Sequence, residues 1–275
     1  MTHSRPLVLH ATRGWRSIDL GEVWAYRELL MIFAWRDLKV RYRQTFLGAI
    51  WVMGQPLVSM LIFTVIFGRV AKLGVTTDVP YPVFVLAGVL LWNFAAGAIN
   101  HVGNSLLGAS YLISKAYFPR LVVPLSNIVT DLVDFVIAAA LLVPVMLWYR
   151  VIPSVGILLA PLIVLLATMF ALGVGLWIAA LNIEYRDIRI VIPWVLQIAM
   201  YVTPVVYPLA ALPARYRTVA VLNPMSGIVE AFRATLFGTA VPTMPLLWSV
   251  AASLLLLLTG AFYFRRAERR FADIL

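Results

Sequence analysis

LVVPLSNIVTDLVDFVIAAALLVPVMLW, residues 121–148, is the stretch on which the fold turns. As a helix it is long enough to cross the roughly 30 Å hydrocarbon core of a bilayer, and its only charged residues are Asp131 and Asp134. At 1.5 Å per residue those acids sit about 15 and 20 Å along the helix from Leu121, on a face shared with Asn127. Charges at that depth are costly and face protein or water rather than lipid.

Working outward, five further apolar windows complete a set of six predicted spans: 47–68, 82–103, 153–181, 190–206 and 246–264. The composition agrees. Of 275 residues, 63% are apolar and 12% charged, against roughly 45–50% and about 25% in an ordinary soluble domain, which excludes a water-soluble globular enzyme. The fifth span is short and interrupted by Pro193 and Pro204. Such breaks persist in lipid only where neighbouring helices or a water-filled cavity satisfy the freed carbonyls, so an interior or path-lining helix is expected there.

The net charge of +10 does not point to nucleic acid, because the basic residues lie in the gaps between spans instead of clustering on one face. With the amino end inside, the cytoplasmic segments hold sixteen Lys and Arg against six outside. The positive-inside rule therefore places both termini of a multi-pass membrane protein in the cytoplasm. Residues 1–22 lack the apolar core of a secretory signal. There is no cysteine, which excludes disulfides and thiolate metal sites. The histidines His3, His10 and His101 are too scattered to form a metal site, so none is expected.

Ahead of the first span, Val23, Tyr26, Leu30 and Phe33 recur at helical spacing opposite Glu28, Arg36, Lys39 and Arg43, with Ile32 and Asp37 breaking the pattern. An amphipathic helix in the cytoplasmic interface is expected, the alternative being an ordinary cytosolic helix packed on the spans. The chain thus divides into a cytoplasmic segment, 1–46, and a transmembrane domain, 47–275. Between spans five and six, Asn223-Pro224 reads as a helix start and Gly238 as its stop. The apolar stripe Met225, Ile228, Val229, Phe232 and Leu236 fits a helix that either dips into the outer leaflet or rests on the external surface.

No catalytic constellation is present. The lysines are Lys39, Lys72 and Lys115, and none ends a Gly-rich phosphate loop. Three roles stay open for Asp131 and Asp134: pairing with Arg or polar groups of neighbouring helices, lining a hydrated path, or relaying protons. Tyr42, Phe46, Trp51, Trp177, Tyr185, Trp194 and Tyr201 serve either as interfacial belts or as stacking platforms over which a sugar chain could slide.

Four segments carry a family resemblance. RYRQTFLGAIWVMGQP (41–56), YLISKAYFPRLVVPLSN (111–127), NIEYRDIRIVIPWVLQIAMYVTPVVYP (182–208) and LNPMSGIVEAFRATLFG (222–238) resemble, in order and place, membrane subunits of bacterial ABC transporters that export O-antigen, capsule and teichoic acid. Phe232 departs from the Tyr that relatives often carry there. The resemblance implies an all-α membrane protein with six transmembrane helices, an amino-terminal interface helix and short external re-entrant helices between spans five and six. It also implies a homodimer bound to two copies of a separate ATP-binding subunit, which supplies ATP and Mg; this chain itself holds no cofactor and is no enzyme. A coupling helix maps onto roughly Ser105–Lys115, with Leu107, Tyr111, Leu112 and Lys115 meeting the ATPase, and Arg186 and Asp187 fall in the next cytoplasmic loop. Tyr42, Phe46, Trp51, Trp177 and Tyr201 become candidates for guiding a lipid-linked glycan. Other cargo (drug, haem or lipid), a proton-coupled carrier and a membrane glycosyltransferase are the alternatives; the short cytoplasmic loops and the missing internal repeat weigh against the last two.

Overall fold

The computed structural model describes residues 20–43, 49–70, 79–115, 118–185 and 187–274; the candidate residues Phe46 and Arg186 lie outside them. Among the described residues the fold is entirely helical. Two helices precede the spans, α1 (Leu20–Ala25) and α2 (Arg27–Arg43). The first apolar helix, α3 (Ala49–Phe63), continues as a π-helix over Thr64–Val70. There follow α4 (Tyr81–Gly108), α5 (Ser110–Lys115), α6 (Val122–Ala139) and α7 (Leu142–Trp148). The second half holds α8 (Ala160–Glu184), α9 (Ile188–Val202), α10 (Ala214–Leu222), α11 (Pro224–Phe237) and α12 (Thr243–Ile274).

Among the described residues, five stretches are long and apolar enough to cross a membrane: Ile50–Val70, Tyr81–Gly108, Val122–Trp148, Val155–Glu184 and Thr243–Glu268. The fifth predicted span, 190–206, is the difference. At 15 residues, α9 rises about 22 Å at 1.5 Å per residue, short of the bilayer core. Pro204 ends it, because a proline drives the preceding residue out of the helical region; Thr203 is extended at φ −77°, ψ 140°. Residues 121–148 are likewise broken, between α6 and α7. Pro144 has no N–H to offer the Ala140 carbonyl four residues back, which accepts from Val143 N at 3.3 Å instead.

At the centre lies α4, packed against α3, α6, α8, α9 and α11. Every residue of its first three turns, Tyr81 to Trp92, is buried. Small residues let the helices approach closely, as is common where lipid offers no hydrophobic incentive to associate. A Cβ on Gly173 of α8 would lie 2.6 Å from the Leu257 nitrogen of α12, and one on Gly175 would lie 2.6 Å from Val102 of α4. By contrast, α9 has no buried residue at all.

The amino-terminal helix presents a different face from the one its periodicity predicts. Phe33 of the predicted stripe turns inward, edge-on to Phe118 at 5.7 Å, and Tyr26 and Leu30 join that small cluster with Val122 and Val123. It is Met31, Ile32, Trp35 and Val40, flanked by Arg36 and Lys39, that stay exposed. Helix α11 starts and stops where the sequence says. Asn223 Oδ1 accepts from Met225 N at 3.0 Å, and Gly238 closes the helix at φ 71°. The five residues of its predicted apolar stripe are all buried, and so are Ser226, Gly227, Ala231, Arg233, Ala234 and Thr235; the helix is therefore enclosed by protein on nearly every side.

Candidate functional site

Polar side chains gather in two places. The inner cluster joins the end of α2 to α6 and α4. Arg41 bonds to Asp134 and lies 3.5 Å from Asp131. Tyr42 donates its hydroxyl to Asp134, and His101 Nδ1 lies 2.7 Å from Asp131. Asn127 Nδ2 donates to the His101 carbonyl at 3.1 Å. Asp131 and Asp134 are one helical turn apart, which aims both at the same guanidinium. The environment of α2 follows from this. Burial lowers the Arg41 pKa, but the two carboxylates outweigh it and the net movement is upward. Burial, reinforced by the bond to Asp134, raises the Tyr42 phenol. Both groups thus keep their protons at any physiological pH and remain donors to the carboxylates of α6.

The outer cluster surrounds the break after α9. An irregular backbone among apolar helices leaves carbonyls that must find partners. Here three consecutive ones do: Arg233 donates to Pro204 O at 2.8 Å and to Val205 O, while Tyr81 donates to Val206 O at 2.6 Å. The buried Arg233 guanidinium also donates to Phe84 O at 3.1 Å and stacks 3.6 Å from the Phe84 ring centroid. Glu230 lies 3.6 Å from it and accepts from Leu209 N at 3.0 Å. Asn223 Nδ2 donates to Thr203 Oγ1 at 2.7 Å. Gly88 makes room: a Cβ there would lie 2.6 Å from Val205 O.

The remaining candidates are dispersed. Trp51 and Tyr201 are exposed. Trp177 has one face covered by Tyr263, stacked at 4.3 Å, and donates Nε1–H to Thr259 at 3.1 Å. On α5, Leu112 packs against the Phe33 cluster, while Lys115 lies 6.0 Å over the ring of the exposed Tyr111. Leu107 is half-buried near the end of α4, and Asp187 is exposed just ahead of α9, its carbonyl accepting from Ile190 N and Val191 N. No group of three His, Asp or Glu that could hold a metal occurs among the described residues. Sequence reading missed Arg233, which counts there only as one of six external basic residues. The usable signal is its place in a buried apolar stripe, beside Phe232.

Comparison with known proteins bears on the whole chain. Residues 28–237 match the ABC-2 type transporter family. An O-antigen export system permease protein of Myxococcus xanthus is 30% identical over 92% of this chain and 97% of its own length. One of Klebsiella pneumoniae is 27% identical, covering 90% and 95%. The Escherichia coli polysialic acid transport protein is 24% identical, covering 72% and 77%. A capsule polysaccharide export inner-membrane protein of Neisseria meningitidis is 25% identical, covering 82% and 85%. With three-quarters of its length matched, the chain belongs to the ABC-2 family of transporter permeases.

Proposed function

We propose that this chain is the channel-forming subunit of an ATP-driven exporter that carries a lipid-linked polysaccharide across the bacterial inner membrane. The observation that carries the reading is the near end-to-end similarity to permeases named for O-antigen export. Two copies form the conduit, and each engages one ATP-binding subunit that holds the nucleotide and its Mg. Helix α9 supports the paired arrangement, because only one side of it packs on the core, through the partly buried Ile188, Ile192, Leu196 and Met200, while Ile190, Val191, Trp194 and Ile198 stay exposed and leave an apolar face that a second copy can cover. It acts as the sixth span, its outer end completed by the 203–209 segment, with α10 and α11 entering the outer leaflet beside it.

Power enters at α5. Its Leu112 touches the cluster of Phe33 and Phe118, so a push from the ATPase reaches α2 and α6 together, and the bond from Arg41 to Asp134 holds those helices in step. Both termini lie in the cytoplasm, and the exposed strip of Met31, Ile32 and Trp35 with Arg36 and Lys39 lies in the headgroup region, apolar groups toward acyl chains and cations toward phosphate. Exposed Trp51 and Tyr201 offer sugar-stacking faces; Trp177, half covered by Tyr263, offers one at most.

Removing the chain from its host tests this. Surface glycan should disappear, lipid-linked glycan should accumulate inside, and a hydrolysis-deficient ATPase partner should give the same phenotype. Unaltered surface glycan would point to a different cargo, and export surviving loss of the ATPase would sink the ATP-driven mechanism.

A further inference from the structure

One face of α4 remains unexplained by packing. Its first three turns are buried all round, but from Asn93 onward the residues Asn93, Gly97, Asn100, His101, Asn104 and Gly108 are half-buried or exposed. At 100° per residue these positions fall within about 100° of one another, so they make a single stripe. The opposite side is occupied: Gly103 meets Ile178 of α8, and a Cβ on Gly175 of α8 would meet Val102. His101, at one edge, is tied to Asp131 of α6. Helices α3 and α9, which expose Trp51, Trp194 and Tyr201, are among the others that pack on α4.

The stripe has hydrogen-bonding capacity that the chain does not use. Asn104 is the partly engaged member: its Nδ2 donates at 2.9 Å to both the backbone carbonyl and the Oδ1 of Asn100, and its Oδ1 accepts from Asn182 Nδ2 of α8 at 3.5 Å, which leaves one lone pair of that oxygen. The Asn100 amide nitrogen and the whole Asn93 amide have no hydrogen-bond partner among the described residues. Such groups are expensive within a membrane helix unless water or a polar ligand meets them. Space lies between the amides at Gly97 and one turn beyond Asn104 at Gly108, since a Cβ added at either would meet nothing within 4 Å.

We infer that Asn93, Asn100 and Asn104 form a hydrogen-bonding track for the hydroxyls of the exported glycan, with Gly97 leaving room for the sugar rings. Each amide offers a neutral donor beside a neutral acceptor, which matches adjacent hydroxyls and favours neither a cation nor an alkyl chain. Asn93 to Asn104 spans about 16 Å at 1.5 Å per residue, enough for a chain to be passed from one amide to the next. Weak neutral bonds suit a polymer that must keep moving. The inference rests on the glycan-export reading above and adds the residues that touch the cargo in the inner half of the membrane.

Because the chain is free of cysteine, single substitutions Asn93→Cys, Asn100→Cys and Asn104→Cys can be probed in the assembled transporter with a membrane-impermeant sulfonated maleimide. The reagent needs a thiolate, and hence water. All three sites should label faster than Val136→Cys, which lies on an exposed apolar face of α6. With a hydrolysis-deficient ATPase holding glycan in place, labelling should fall about tenfold, the protection expected of a site ~90% occupied. In cells that make no glycan the protection should vanish. Asn100→Leu combined with Asn104→Leu should slow export about tenfold while Asn100→Gln retains it, tenfold corresponding to about 1.4 kcal/mol.

Labelling no faster than at Val136→Cys, or indifferent to glycan, would overturn the inference; so would loss of the dimer in the Asn→Leu variants, which would make the stripe a contact between copies. Surface glycan exported by the unsubstituted transporter under the same conditions separates these failures from failure of the export reading itself.

Discussion

Replacing Arg233 by Met keeps most of the side-chain volume and removes the donors that hold the outer elbow. The loss can be worked from the bonds. Phe84 O belongs to a helix and retains its place in that ladder, whereas Pro204 O and Val205 O lie in irregular backbone and are orphaned. Each buried acceptor left unpaired costs about 1–3 kcal/mol, and the stacking on Phe84 adds about 1–2 kcal/mol. Relief of the burial penalty on the guanidinium offsets part of this. The net expectation is about 3 kcal/mol of destabilisation. At about 2–4 °C per kcal/mol for a chain of this size, the melting temperature should drop by about 6–12 °C, read from tryptophan fluorescence of the protein in detergent. Arg233→Lys should fall between, since a point charge cannot span two carbonyls and the Phe84 backbone at once. Gly88→Ala should destabilise by about 1–3 kcal/mol through overpacking, and its cost should shrink in the Arg233→Met background because the two share a partner. A melting temperature for Arg233→Met within about 2 °C of the parent would refute the assignment of Arg233 as the elbow's anchor.

Other substitutions test other joints. Gly173→Leu should separate α8 from α12, costing about 1–3 kcal/mol or more, seen as lower expression and an earlier melt; an unchanged melt would mean that the crossing is looser than its geometry. Asn223→Ala removes both the α11 cap and the bond to Thr203 Oγ1 and should cost about 2 kcal/mol, the upper part of the range for a cap. Arg41→Ala, Asp134→Asn and their combination form a double-mutant cycle. A coupling of about 1–3 kcal/mol in thermal unfolding is expected, and independence of the two effects would show that the ion pair contributes nothing. In reconstituted transporter, Asp131→Asn with Asp134→Asn should leave export running and the parent should ignore an imposed proton gradient; export by the parent that follows the gradient and is lost in the double variant would support the relay reading.

How much of this was legible depends on the range of the cause. The five long spans follow from local hydropathy, and the ends of α11 from Asn223 and Gly238, whose capping chemistry acts within a few residues. The shortening of the fifth span follows from Pro204, and the break in the third from Pro144, although the sequence window averages over both. What the sequence could not reveal is partnership at a distance. It left Asp131 and Asp134 three roles, and the pairing with Arg41, some ninety residues away, appears only when α2 lies on α6. The predicted apolar stripe of α2 was found against protein because Phe118 and Val122 compete with the bilayer for it, and periodicity cannot say which wins. Arg233 was hidden for the same reason: a buried cation is tolerable only with carbonyls from elsewhere in the chain to receive it.

Those two clusters also divide the labour along the membrane. At the outer end, Arg233, Tyr81, Asn223 and Glu230 bind carbonyls, an amide and a hydroxyl of the 203–209 elbow, so the outer end of α9 is fastened to α4 and α11. Along its length α9 packs on the core only through partly buried residues such as Ile192, Leu196 and Met200, so it resists a tilt about that fastened end less than the enclosed α4 does. The inner cluster does the converse for α2, whose exposed apolar strip leaves it free to follow the membrane surface while Arg41 and Tyr42 tie its last turn to α6. A push at α5 would therefore be spent on the inner ends of the helices, beside the amides of α4, and the elbow would stay in place. Spin labels near Ile190 and near Val202, each measured against the rigid outer half of α4, should show the first distance changing on ATP binding and the second holding; equal movement at both would mean that the elbow is a hinge point for nothing and that α9 shifts as a unit.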